Sequence, residues 1–189
     1  MRQLIVTTFL TLDGVMEAPG GGDHPHAGWS FKDVEFDEAA YEMKGTEQAE
    51  AGAILMGRVS YDEFAPVWHT MAEFESYNAG EKYVVSTTLD GDTAPWGDYD
   101  PVRVLRSTDD VRELKQGEGG PILVHGSATL AQSLAHADLV DRYHLLVFPL
   151  LLGSGKRLFG SSDHKQKLQV VETETYDNGI TKVIYDVAH

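Results

Sequence analysis

Cysteine is absent from this 189-residue chain, which excludes a disulfide framework, a thiolate metal site and a cysteine nucleophile. Positive charge is scarce. Against 30 Asp and Glu stand 15 Lys and Arg, a formal charge of −15 that repels phosphate backbones and anionic lipid surfaces. Neither nucleic acid nor a membrane is an expected partner. No apolar run reaches the length of a membrane span, and Thr7, Thr8, Thr11 and Asp13 break up residues 1–15, so no signal-peptide core is expected and the compartment read from this is the cytoplasm. Neither a G-x-G-x-x-G turn nor a Walker A loop occurs. A nucleotide, if bound, must be held by a local Arg and by backbone N–H groups drawn from several segments.

What is present is ordinary for one globular domain spanning residues 1–189, with 42% hydrophobic and 24% charged residues. Residues 4–10 form a β-rich apolar run that reads as a strand buried on both faces, closed by a turn at Leu12-Asp13-Gly14. Residues 17–31 hold Pro19, Gly20, Gly21, Gly22, Pro25 and Gly28, a breaker density that predicts a long loop at a functional site. Residues 36–50 predict a helix and 53–56 a buried strand. A short helix opens at Arg58, with Ser60 and Glu63 at capping-box spacing, and is expected to end before Pro66.

Further strands are predicted at 83–86, 102–105 and 122–124, with helices at 109–115 and 127–136 between and after the last two. Residues 143–152 make a strongly apolar strand, either central or at an interface. The repeated strand–helix alternation predicts an α/β fold with a central, mainly parallel sheet flanked by helices. Residues 167–176 and 180–187, joined by Asp177-Asn178-Gly179, predict an antiparallel C-terminal hairpin.

Three segments follow predicted strands, where parallel sheets gather ligands. In the first, Gly57 permits close backbone approach, Arg58 offers a planar fork for phosphate, and Ser60 can cap a helix or bond a phosphate oxygen. A capped helix with a surface Arg explains the same residues. In the second, His125-Gly126-Ser127-Ala128-Thr129-Leu130, small residues open a helix whose free N–H groups can face a pyrophosphate, or simply make a strand-to-helix turn. The third, Ser86-Thr87-Thr88, is ordinary turn chemistry as well as a source of hydroxyls. His24 and His26 flank Pro25 without a third ligand, so no metal is assigned, and Trp68, Tyr77 and Trp96 read as packing.

In their order along the chain, Thr11-Leu12-Asp13-Gly14, Met-Gly-Arg-x-Ser-Tyr at 56–61, Val-Val-Ser-Thr at 84–87, Gly-Ser-Ala-Thr-Leu at 126–130 and the Phe148-Pro149-Leu150 to Phe159 stretch resemble the dihydrofolate reductase-like superfamily. The resemblance is nearest to the branch of the C-terminal reductase domain of the bifunctional riboflavin-biosynthesis deaminase/reductase. It implies a single-domain dihydrofolate-reductase-like fold, NADPH as cofactor, a homodimer, and hydride transfer to a small heterocycle, of the 5-amino-6-(5-phosphoribosylamino)uracil or pterin reductase kind.

By that resemblance Arg58 holds the adenosine 2′-phosphate, Ser60 a phosphate oxygen, and Ser86 and Thr87 the adenosine side. Gly57 and the segment Gly126, Ser127, Ala128, Thr129 and Leu130 approach the phosphates, while Thr11 and Trp29 lie near the nicotinamide. Asp13 is the candidate proton donor, with bonding of the turn backbone as its other role. The resemblance also brings a pocket carboxylate on the first helix, unplaced among Asp37, Glu38 and Glu42. The substitution of His125 for a substrate-contacting Glu leaves little provision for a ribosyl phosphate. The alternative reading is a nucleotide- or ligand-binding homodimer without turnover.

Overall fold

The structure is a computed structural model that describes residues 1–188. Its nine strands form one sheet in the order β4-β5-β3-β2-β6-β1-β7-β9-β8. β1 (Leu4–Thr11), β2 (Ala53–Gly57), β3 (Glu81–Val85), β5 (Val102–Leu105), β6 (Ile122–His125) and β7 (Arg142–Phe148) are mutually parallel. The two-residue β4 (Thr93–Ala94) adds an antiparallel edge, and β8 (Lys167–Thr175) and β9 (Thr181–Ala188) form the antiparallel hairpin at the other side. The architecture is therefore the expected α/β one, a mixed sheet flanked by helices with an antiparallel C-terminal end.

The two faces separate by residue parity along β1, as the strand period demands. Leu4, Val6 and Leu10 pack with Leu55, Ile122 and Val124 against α5 (Thr108–Gln116) and α6 (Ala128–His136). On the opposite face Ile5 joins Ile54, Met56, Leu123 and Trp96, and Phe9 adjoins Trp29, Leu146 and Phe148. That face is covered by α2 (Glu38–Glu50), α3 (Arg58–Trp68) and the short α4 (Glu75–Ala79). Between its two apolar clusters lies Thr7, whose register partners are His125 on β6 and His144 on β7.

Several boundaries differ from the sequence expectation for identifiable reasons. β7 stops at Phe148 instead of running to 152, because Pro149 has no N–H to extend the ladder. α3 continues past Pro66 to Trp68. Its N-cap is Gly57 and Ser60 sits inside the first turn, so the Ser60–Glu63 capping box does not form. The 17–31 loop ends in a one-turn helix, α1 (Trp29–Lys32), and the α4 turn, preceded by a 3-10 turn at Ala72–Phe74, was not anticipated.

Candidate functional site

The β2–α3 and β6–α6 turns leave the sheet side by side at its carboxyl end. A β-carbon built on Gly57 lies 2.2 Å from Ser127 Oγ, and one built on Gly126 lies 2.8 Å from Ser60 Oγ. Each turn therefore fits the other only because a side chain is missing. Gly126 has φ +66°, and Ser127, with φ +60°, occupies the left-handed region that costs a non-glycine residue roughly 1–3 kcal/mol. Ser127 Oγ accepts the Leu130 N–H at 3.3 Å, capping α6. The Ala128 and Thr129 N–H groups at the start of α6 precede the intrahelical ladder, and the helix dipole adds to them a partial positive charge.

Arg58 stands at the start of α3 with its side chain half-exposed. Its Nε donates to both oxygens of Asp62, at 2.9 and 2.8 Å, and its Nη1 reaches Thr88 Oγ1 at 3.5 Å. Ser86 is buried, and its hydroxyl accepts from Thr88 N and Leu89 N, so it shapes the turn. Thr87 and Thr88 are the exposed hydroxyls of that turn. Arg106, which sequence reasoning passed over, donates to the carbonyls of Ser86 at 2.9 Å and Leu89 at 2.6 Å and to that of Gly91, tying the turn down.

The two residues expected near the nicotinamide, Thr11 and Trp29, and the proton-donor candidate Asp13 all make their contacts inside the protein. Thr11 is 1% exposed and donates to Asp13 Oδ1 at 2.5 Å while accepting the Val15 N–H. Asp13 accepts from Leu152 N and Gly153 N and pairs with Arg157 Nη2 at 3.1 Å. The Thr11 hydroxyl and these backbone N–H groups hold its carboxyl at about 2. These contacts are those of its other role, bonding the turn backbone. Trp29 has no exposed surface; its Nε1 donates to Glu17 O at 2.8 Å and its ring meets Phe148 edge-on. With Ser30 Oγ donating to Pro19 O, it anchors the 17–31 loop from below and offers no ring face to a cofactor.

The carboxylate that points at the sheet is Glu47, outside the set considered from sequence. Asp37 caps α2 by accepting from Ala39 N, and Glu38 and Glu42 are exposed. Glu47 is buried and accepts from Thr7 Oγ1 at 2.8 and 2.9 Å, from Lys44 Nζ at 3.2 Å and from His144 Nδ1 at 2.8 Å. Lys44 Nζ also donates to Thr7 Oγ1. Burial pushes the Glu47 carboxyl up, but the Lys44 charge and the His144 hydrogen bond outweigh it and hold the group at about 2.

His125 completes the row. Its Nε2 lies 3.0 Å from the Tyr77 hydroxyl, and burial together with the Lys44 charge brings it down to about 4 despite the opposing pull of Glu47. Glu47 lies on the one face of α2 that is buried, with Ala40 and Met43. Among the described residues no group of three or more His, Cys, Asp or Glu is arranged to hold a metal ion, and no helix is long and apolar enough to cross a membrane.

Residues 2–182 match the RibD C-terminal domain family. The uncharacterized protein YyaP of Bacillus subtilis (strain 168) is 27% identical over 97% of this chain and 94% of its own length. Among solved structures, a Shewanella sp. PV-4 protein provisionally assigned to riboflavin biosynthesis is 22% identical, covers 99% of each chain and superposes with a TM-score of 0.78. Enterococcus faecalis dihydrofolate reductase, solved in complex with NADP(H), is 12% identical over 99% of this chain and 97% of its own, with a TM-score of 0.63.

Proposed function

This chain belongs to the RibD C-terminal domain family, and we propose that it is an NADPH-dependent reductase acting on a small planar heterocycle. The observation that carries the proposal is the interlock of Gly57 with Ser127 and of Gly126 with Ser60. Together they close the two turns on each other through the Ser127 and Ser60 side chains and set them, as a seat of backbone and hydroxyl groups, beside the α6 N-terminus, with Arg58 following Gly57 at one end. Such a seat fits a dinucleotide: the backbone at Gly126 and Ser127 approaches the pyrophosphate, the first N–H groups of α6 bond it, and Arg58 with Thr88 receives the 2′-phosphate. Bound there, NADPH supplies the hydride.

The chain's own residues orient the reaction and shield it from water. Arg106 holds the 86–91 turn against the adenosine side, and Trp29 fixes the loop that borders the nicotinamide end. Asp62 competes for Arg58, so the cofactor's phosphate must displace a surface ion pair, a modest cost for an exposed pair. The polar row above β6 and β1 contains no net excess of positive charge, because the Lys44 ammonium faces the Glu47 carboxylate. This balance supports an uncharged substrate over a ribosyl phosphate.

Fluorescence titration of the protein with NADPH and NADH tests the reading. Saturable NADPH binding about tenfold or more tighter than NADH is expected from the Arg58 contact. Absence of saturable binding by either nucleotide rejects it, and binding without oxidation across a panel of pterins, aminopyrimidines, flavins and quinones favours a non-catalytic ligand-binding protein.

A further inference from the structure

The two edges of the sheet are unlike. β4, at one end, is two residues long and is followed by Pro95, so it offers little template for a further strand. β7, read from sequence as central or at an interface, lies inside the sheet between β1 and β9. The long free strand is β8, at the other end, which runs nine residues without proline or glycine and is exposed along nearly all of them. Such an edge carries a row of N–H and C=O groups that another strand can pair. Its Val170 and Val171 side chains are 55% and 48% exposed.

β8 carries a bulge. Its register against β9 runs from Lys167 opposite Ala188 to Val170 opposite Tyr185 and resumes at Glu172 opposite Ile184, so Val171 is the extra residue. Leu168 packs with the core on the α5 and α6 side, and Val170 shares that side, whereas Glu172 stands opposite Ile184 on the α2 side. The bulge thus resets the alternation: Lys167, Gln169, Glu172 and Glu174 all project on the α2 side, where a regular strand would put Lys167 and Glu174 on opposite faces. Lys182 on β9 is held by both Glu172 and Glu174, each at 2.7 Å, which leaves one negative charge unmatched. At the other end of the strand, among the described residues, no ion pair or hydrogen bond engages the Lys167 ammonium.

We propose that β8 is the docking strand of a two-fold homodimer, pairing antiparallel with β8 of a second copy so that Val170 stands opposite Val171 of the partner subunit. In that register Lys167 meets the partner's Glu174, Gln169 the partner's Glu172, and Leu168 the partner's Thr173, each twice by symmetry. Each Lys167 answers the unmatched carboxylate of the other copy, the valines cover one another, and no like charges stand opposite. Only this register, with the two bulges side by side, keeps every facing pair on a common side along the length of the strand. A second copy is the occupant because the charge order of β8 is complementary to itself. Pairing one edge with the same edge also closes the assembly, where pairing it with the opposite edge would extend it into a fibre.

Sedimentation equilibrium of the full chain tests the proposal, and the result does not depend on the reductase reading. The parent is expected at twice the chain mass at micromolar concentration. Lys167→Glu sets a carboxylate opposite the partner's Glu174 at two places and is expected to weaken the dimer by about tenfold or more. The swap Lys167→Glu/Glu174→Lys is expected to recover it to within about threefold, with Lys182 keeping Glu172 throughout, and thermal melts verify both folds. Because the chain has no cysteine, Val170→Cys and Val171→Cys chains read the register directly. Mixed and oxidised, they are expected to form the intersubunit disulfide faster than either chain alone. A monomeric parent overturns the proposal, as does a dimer that Lys167→Glu leaves intact. So does a folded swap variant no tighter than Lys167→Glu, or a disulfide that forms as fast in one chain alone as in the mixture.

Discussion

Gly57 and Ser127 occupy one contact: the space for a β-carbon at position 57 is filled by the serine side chain, whose Cβ is 2.7 Å and Oγ 2.2 Å from the point where that carbon would stand. The β2–α3 turn and the β6–α6 turn are thereby locked at a fixed separation, and Ser127 keeps its left-handed backbone while its hydroxyl caps α6.

Gly57→Ala is expected to break that lock. The added methyl must displace Ser127, which lowers stability by about 1–3 kcal/mol and moves the first N–H groups of α6 away from the pyrophosphate. A lowered melting temperature together with NADPH affinity weakened by about tenfold or more is the expected pair of results. Unchanged affinity in the folded variant removes this contact from the cofactor site.

Arg58 and Asp62 make opposite predictions for the same nucleotide. Arg58→Gln removes the fork proposed for the 2′-phosphate, and NADPH affinity is expected to fall by about 1.5–3 kcal/mol with little change for NADH. Asp62→Asn frees Nε from its bidentate partner and is expected to raise NADPH affinity a few-fold at low salt, with the gain shrinking as ionic strength rises. Fluorescence titration of both nucleotides at two salt concentrations reads both effects. Equal losses for NADPH and NADH in Arg58→Gln remove its role as a 2′-phosphate reader.

Asp13 ties the turn after β1 to the 152–157 segment through Leu152 N, Gly153 N and Arg157. Asp13→Ala strands those donors and is expected to cost about 2 kcal/mol of stability. Because folding holds the carboxyl below its ordinary value, at about 2 against 3.8, its stabilising contribution is present above about pH 4 and fades as pH falls from 3.8 through 2. Chemical denaturation at neutral pH checks the loss; an unaltered midpoint contradicts the structural role.

The strands next to the candidate site were legible because each is an apolar run bounded by breakers, and the β2–α3 and β6–α6 turns because small residues follow those runs. The polar row was not. Thr7 reads as one more β-former in residues 4–10, and His125 and His144 lie far from it along the chain; only the parallel register of β6, β1 and β7 sets the three side by side. α2 is rich in acids on several faces and only weakly amphipathic, so its pattern does not single out Glu47 from Glu38 and Glu42. Trp29 was legible as a loop residue beside a site. Its burial beneath that loop depends on Phe148, which arrives from β7.

The row also predicts how the protein responds to acid. His125 is lowered from 6.5 to about 4 by burial and by Lys44, so the unfolded chain takes up a proton at this site before the folded one does. Its contribution is intact above pH 6.5 and is lost as pH falls from 6.5 to about 4. Glu47, lowered from 4.5 to about 2 by Lys44 and His144 against its own burial, contributes above pH 4.5 and is lost between 4.5 and about 2. Stability is therefore expected to fall in two overlapping stages beginning near pH 6.5. His125→Gln removes the titrating ring while keeping a partner for the Tyr77 hydroxyl, and is expected to flatten the upper stage and leave the lower one. Urea unfolding at intervals between pH 7.5 and pH 3 separates them; an upper stage that survives in His125→Gln assigns it to another group and removes His125 from the acid response.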